Sequence, residues 1–230
     1  MEKKNIWRIT PKTNLHVGSE NSSSYGLIDL SIQRDAVTGL PCINSSSLKG
    51  AINEYAVHCT SLTEKERITI FGSDKSKKEN TTQKGGCTFF DAYLLAIPRP
   101  ANDQPYELVT CKQIIEMFRQ KVEALGGNIS TEEIKSIIAD TGVKLAEETE
   151  YTKFKELCYD DNLPIIARNV LDDGGISKNL WYEQVLPAES VLFTVIDDKD
   201  GKLTDAINGK TIQVGANGSI GYGFCKFEHL

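Results

Sequence analysis

Asp29 is the residue of this sequence best placed to do chemistry on a charged substrate. It interrupts the apolar run GLIDLSI, residues 26–32. An acid between Ile28 and Leu30 has to face a cleft, a partner or solvent. Shortly after it come Arg34 and Asp35, a Thr-Gly turn, and the block SSSLKG, residues 45–50. If Ser45, Ser46 and Ser47 open a helix, they offer backbone N–H groups, hydroxyls and the positive end of a helix dipole. Lys49 adds a full charge ahead of Gly50. Two uses compete for this stretch: an active site, or a loop that grips phosphate. The plain alternatives are that Asp29 caps a turn or pairs with Arg34, and that the serines only cap the helix.

Other candidates lie far away in sequence. His16, in the polar loop HVGS, is a residue type that can serve as a general acid or base, or is simply exposed. Glu183 follows Trp181 and Tyr182, a set that reads as a stacking surface for bases or as core beside a surface acid. The run QVGANGSIGYGF, residues 213–224, carries Gly215, Gly218, Gly221 and Gly223. Glycines let a backbone turn tightly, approach a ligand and ring a phosphate with N–H groups. This run lacks the GK[ST] ending of a nucleotide loop, and no helix follows it, so it matches neither common nucleotide fingerprint.

The elements needed to position these residues follow from periodicity. Asn5–Thr10 reads as a first strand and Leu27–Gln33 as a short second one. Leu48, Ala51, Ile52, Tyr55 and Ala56 form a helical stripe, with Ser46 or Ser47 as its N-cap. Thr63 with Glu66, and Ser130 with Glu133, are capping boxes opening further helices. Cys111–Leu125 is amphipathic through Ile114, Ile115, Phe118 and Val122. Cys87–Ile97, Leu163–Leu171, Val191–Ile196, Thr211–Val214 and Tyr222–Phe227 are strand-like, and Asp172-Asp173-Gly174-Gly175 is a hairpin turn. Residues 73–86 contain no apolar side chain and read as a mobile loop, whose Lys75, Lys77, Lys78 and Lys84 could touch a polyanion. The pattern is α+β and fits a ferredoxin-like sheet with insertions, in one domain over residues 1–230.

Composition narrows the class. The chain has 230 residues, 40% of them hydrophobic, and a formal net charge of −6. That charge argues against a nonspecific nucleic-acid binder without excluding a local basic groove. Six widely spaced cysteines show no zinc-ligand pairing. With no apolar run long enough for a membrane and no signal-peptide pattern, a reducing, cytoplasmic setting is expected.

Taken in order, HVGS (16–19), GLIDLSIQRD (26–35), TGLPCINSSSLKGAINEY (38–55), FG (71–72), LWYEQVLP (180–187) and QVGANGSIGYGF (213–224) resemble the RAMP superfamily of CRISPR RNA-binding proteins. Within it, the "ID-x-x-IQRD…TG-x-P-x-I…SSLKG" block with a late WYE looks like the repeated backbone subunit of the type III-B (Cmr) effector complex. The resemblance covers roughly half the chain and is silent on residues 73–160. It departs from the family pattern at Glu20 and Ala216, where glycine is usual, and at Tyr222, near which a lysine is usual.

The resemblance implies an RRM-like palm bearing a β-hairpin thumb, placed at about residues 164–181 with Ile176 or Leu180 as a wedge. It implies a metal-dependent endoribonuclease, active within the assembled complex, that leaves a 2′,3′-cyclic phosphate and a 5′-OH. Asp29 would be the cutting residue and a possible ligand of Mg²⁺ or Mn²⁺, with His16 and Glu183 as lesser candidates. Arg34, Ser45, Ser46, Ser47, Lys49, Gly50, Arg168 and the glycines at 215, 218, 221 and 223 would contact RNA. The implied partners are crRNA, complementary target RNA, further copies of the chain in a filament and other Cmr subunits. The rival readings are a filament scaffold that binds crRNA without cutting, and an unrelated phosphate-ester enzyme built on the glycine loop.

Overall fold

The computed structural model describes residues 5–19, 28–73, 83–140, 142–146, 149–159 and 162–230. Along the chain the described elements are β1 (Ile6–Pro11), β2 (Cys42–Ile43), α1 (Ser45–Cys59), α2 (Glu64–Phe71), β3 (Thr88–Phe89), β4 (Ala92–Arg99) and β5 (Glu107–Val109). Three helices follow: α3 (Lys112–Ala124), α4 (Thr131–Ala139) and α5 (Tyr151–Leu157). The chain continues through β6 (Ile165–Leu171), β7 (Ser177–Gln184), β8 (Val191–Asp197), α6 (Lys202–Ile207), β9 (Thr211–Gln213) and β10 (Phe224–His229).

The main sheet runs β2-β4-β8-β1-β10-β9, with antiparallel pairing throughout. Its inner part is two interleaved split βαβ units. One runs from β1 through α1 to β4 with β8 inserted; the other runs from β8 through α6 to β10 with β1 inserted. This is the ferredoxin-like arrangement that the alternation of strands and helices suggested.

Every residue of β1 is buried, so both faces of the sheet are covered. On one face Arg8 stands opposite Phe193, and Phe193 opposite Tyr93. Phe118 of α3 packs on Phe193 with ring centroids 3.8 Å apart. Arg8 donates to the Ile137 carbonyl at 2.6 Å and pairs with Asp140 and Glu228. The helical insertion between β5 and β6 is thereby fastened onto this face. The crossover helices bury Leu48, Ile52 and Ala56 of α1 and Leu203 and Ile207 of α6.

A second sheet consists of β6 and β7 alone, joined by the 172–175 turn. The Asp172 carboxylate accepts from the Gly174 and Ile176 amides at 2.9 Å, closing that turn. The hairpin is largely exposed and carries Val170, Leu171, Ile176 and Leu180 into solvent.

Several expectations need correction. Leu27–Gln33 is not a strand over its described residues; Leu30 and Ile32 make only isolated bridges, to Glu183 and Gly18. The N-cap of α1 is Asn44, not Ser46 or Ser47, and its side chain makes no capping bond. Instead the distant Asp91 carboxylate accepts from the Ser45 amide at 2.7 Å. Cys87–Ile97 is two strands broken at Phe90-Asp91, because β3 pairs with the end of β8 while β4 pairs with its start. Both capping boxes form as read. Of the expected mobile loop, residues 74–82 lie outside the described residues, with Lys75, Lys77 and Lys78 among them. No helix among the described residues is long and apolar enough to cross a membrane.

Candidate functional site

The base of the β6–β7 hairpin gathers residues far apart in sequence. Asp29 runs beside β7, and its backbone N–H and that of Leu30 both donate to the Tyr182 carbonyl at 3.1 Å. The Tyr182 amide in turn donates to Asp29 Oδ2 at 2.8 Å. Gln184 N–H donates to the Leu30 carbonyl, completing the rail. This pins one carboxylate oxygen and fixes the side chain's direction while Asp29 itself remains exposed. Residues 28–32, with one acid among apolar neighbours, therefore lie along the hairpin root with that acid facing outward.

Glu183, the next residue on β7, is the counterpart of Asp29 inside the protein. It is only 4% exposed. Its Oε1 accepts from Trp181 Nε1 at 2.8 Å. Its Oε2 accepts from Arg168 Nε at 3.2 Å and from Asn217 Nδ2 at 2.8 Å. Burial works against the charge, yet the hydrogen bonds from Trp181 and Arg168 outweigh it. With the positive field of Arg168 and of the His16 ring, they hold the Glu183 carboxyl below the usual carboxylate range. A carboxylate this enclosed orients its neighbours and does not meet substrate, so the expected catalytic use of Glu183 gives way to a positioning one.

His16 is likewise inside, 3% exposed. Its Nδ1 lies 2.7 Å from the Gln184 carbonyl. A carbonyl only accepts, so Nδ1 carries a proton and Nε2 is the ring's remaining site, next to Gly18. The ring props β7 from below and does not open onto solvent.

The glycine loop packs into the same region for a steric reason. A β-carbon on Gly215 would collide with the His16 carbonyl, and one on Gly223 with the Val214 carbonyl; both glycines also hold positive φ, 80° and 76°. The Ala216 amide donates to the His16 carbonyl and the Gly223 amide to Asn14. These two glycines serve close backbone approach. Gly218 opens a short 3₁₀ turn, and Gly221 closes it with open space around it.

Arg168, expected on RNA, is held over the Tyr222 ring at 4.6 Å and bound to Glu183. Its Nη2 is buried without a hydrogen-bond partner. Arg34 is engaged elsewhere: its Nη1 donates to the Gly39 and Cys158 carbonyls at 2.8 and 2.9 Å, tying a turn to the end of α5.

The serine block is a separate surface. Ser45, Ser46 and Lys49 line a shallow recess of about 390 Å³ with Lys84, Gly85, Thr88 and Phe89. Lys49 and Lys84 make it locally basic. Ser47 faces the other way, accepting from Gln33 Nε2 at 3.0 Å, and Gly50 is exposed. Asp91 already occupies the Ser45 amide, so that backbone donor is not open to a phosphate.

Among the described residues, no cluster of three or more His, Cys, Asp or Glu side chains is spaced to hold a metal ion. Asp29 is a single exposed carboxylate, so a divalent cation here would take its remaining ligands from water and substrate oxygens, as Mg²⁺ does, and not from a protein cage. The contacts of Asn217 with Glu183 and of Tyr222 with Arg168 escaped sequence reading, because nothing local links these residues.

This fold has known counterparts. The CRISPR system Cmr endoribonuclease Cmr4 of Pyrococcus furiosus is 26% identical, over 96% of this chain and 92% of that protein. The CMR subunit Cmr4 of Saccharolobus solfataricus is 28% identical over 68% of this chain and 48% of that protein. A chain of a type III-B Cmr-beta complex solved with cognate target RNA superposes with a TM-score of 0.76 at 23% identity, covering 97% of this chain and 96% of that one. Oligomeric Cmr4 from Pyrococcus furiosus gives 0.70 at 18% identity, covering 98% and 97%. The model of the RAMP superfamily matches residues 8–226, nearly the whole sequence, and this chain belongs to that superfamily.

Proposed function

We propose that this protein is a repeated backbone subunit of a type III-B CRISPR ribonucleoprotein, one that binds crRNA and cuts complementary target RNA at regular intervals. The observation that carries the reading is the placement of Asp29. It is an exposed acid, fixed in direction by the Tyr182 amide, at the root of a protruding hairpin with exposed apolar side chains.

The chemistry follows from RNA itself. The 2′-OH can attack its own adjacent phosphorus, but a stacked A-form strand does not bring the two in line. A hairpin that enters the guide–target duplex displaces a nucleotide and frees that geometry. Asp29, beside the displaced nucleotide, accepts the 2′-OH proton as a general base. Attack forms the new O–P bond as the bond to the 5′ oxygen breaks and that oxygen takes a proton from water, leaving a 2′,3′-cyclic phosphate and a 5′-OH. A divalent cation on Asp29 would supply charge stabilisation at the phosphate. Lys49, Lys84 and Ser46 would hold backbone phosphates of the guide. The partners in this reading are crRNA, target RNA, other copies of the chain and other Cmr subunits.

The test is the product. Target RNA carrying a single 2′-deoxynucleotide 5′ to one cut position should resist cutting at that position only. Cutting there at the normal rate would exclude 2′-OH attack.

A further inference from the structure

We infer that Asn217 is a positioning residue that couples the C-terminal loop to the hairpin and thereby sets the direction of Asp29. The inference rests on the proposed nuclease reading and adds a residue to it.

The geometry is a closed circuit. Asn217 Nδ2 donates to Glu183 Oε2 at 2.8 Å. Glu183 binds Arg168 on the facing strand of the hairpin. The Arg168 guanidinium lies over the Tyr222 ring. The Tyr222 amide donates back to the Asn217 carbonyl at 3.2 Å, as does the Ile220 amide at 3.1 Å. The hairpin is thus joined to the palm's last loop by a charged hydrogen bond and a stacked cation, each dependent on Asn217 holding its place.

Asn217 adopts a left-handed backbone, φ 64° and ψ 24°, which few side chains other than asparagine tolerate. Glycine would satisfy the backbone equally well. What glycine lacks is the amide, and this amide is directed at Glu183. Charge-assisted bonds of this kind are the stronger class. On the far side of Glu183, β7 continues as the rail that holds Asp29: Leu30 bridges to Glu183, and Tyr182 donates to the Asp29 carboxylate. A shift of Glu183 on losing Asn217 therefore passes by one residue to Tyr182 and to Asp29. Such a displacement slows a reaction that depends on in-line geometry without weakening phosphate contacts elsewhere.

The experiment compares the native chain, Asn217→Gly and Asn217→Asp in the reconstituted guide complex. Asn217→Gly should keep guide and target binding within about twofold while cutting slows roughly tenfold, the scale of a small misplacement of a reacting group. Asn217→Asp sets a carboxylate against Glu183 and should slow cutting further at neutral pH. In the same variants, hydrogen exchange at the Tyr182 amide should accelerate. That readout does not require cleavage, so it judges the coupling even if the native complex cuts nothing, an outcome that would sink the nuclease reading alone. Native-like cutting, an unchanged Tyr182 exchange rate, or loss of guide binding in Asn217→Gly would each overturn the inference.

Discussion

Two acids at the hairpin root, Asp29 against Tyr182 and Glu183 next along β7, have opposite fates here, and the hairpin register decides which is which. Asp29 is exposed with one oxygen pinned; Glu183 is enclosed with both oxygens engaged. For Glu183 the consequence is a pH dependence. Its folded-state pKa is lowered, so its contribution to stability is complete above the unfolded glutamate value of about 4.3 and is lost as pH falls through the folded value. Glu183→Gln should therefore melt below the native chain at pH 7, and the gap in Tm should close as the pH drops well below 4. A gap that persists unchanged into acid would mean that the charge is not what holds the hairpin. Asp29 was legible in sequence because an acid in an apolar run is conspicuous. The burial of His16 and Glu183 was not, because their shared environment comes from segments 168 residues apart.

At the scale of elements, the hairpin and the glycine loop do different work. The hairpin's apolar residues are left largely exposed in the monomer: Leu171 is 57% and Ile176 is 68% exposed. Leu171→Ser and Ile176→Ser should change stability by less than about 0.5 kcal/mol. If the hairpin is the wedge, the same changes should blur or abolish the regular spacing of cuts on target RNA; retained spacing would remove the wedge role. In the glycine loop, alanine at Gly215 or Gly223 meets both positive φ and a backbone collision, and should cost about 2–4 kcal/mol. Alanine at Gly221 meets positive φ with open space and should cost about 1–2 kcal/mol. Equal thermal shifts at the three positions would contradict the packing account. The hairpin turn, both capping boxes and α3 could be read from sequence because their signals are local. The short α5 and α6 could not, since helices of six or seven residues hold only through the core they pack on. Nor could the true cap of α1, supplied by Asp91 from 46 residues away.

For the whole molecule, the ferredoxin-like sheet came through in sequence as an order of strands and helices, while the closure of its Arg8 face did not. That face is sealed by α3 and α4, which leaves the hairpin base and the Lys49–Lys84 recess as the surfaces of the proposed RNA contact. With a net charge of −6, the Lys49–Lys84 recess is a small basic area on an acidic body. An isolated subunit neutralising about four phosphates should lose roughly fiftyfold in RNA affinity between about 50 and 200 mM salt. Tight binding should appear only when many copies share one guide, through effective concentration. Salt-insensitive binding by the lone chain, measured by fluorescence anisotropy, would contradict this. The most direct measurement is target-RNA cleavage by the reconstituted guide complex, native against Asp29→Ala, with Mg²⁺ or Mn²⁺ present. Regularly spaced cuts in the native complex that vanish in the variant, with target binding unchanged, are the expected result. Cuts that persist in Asp29→Ala would place the chemistry on another residue or another subunit.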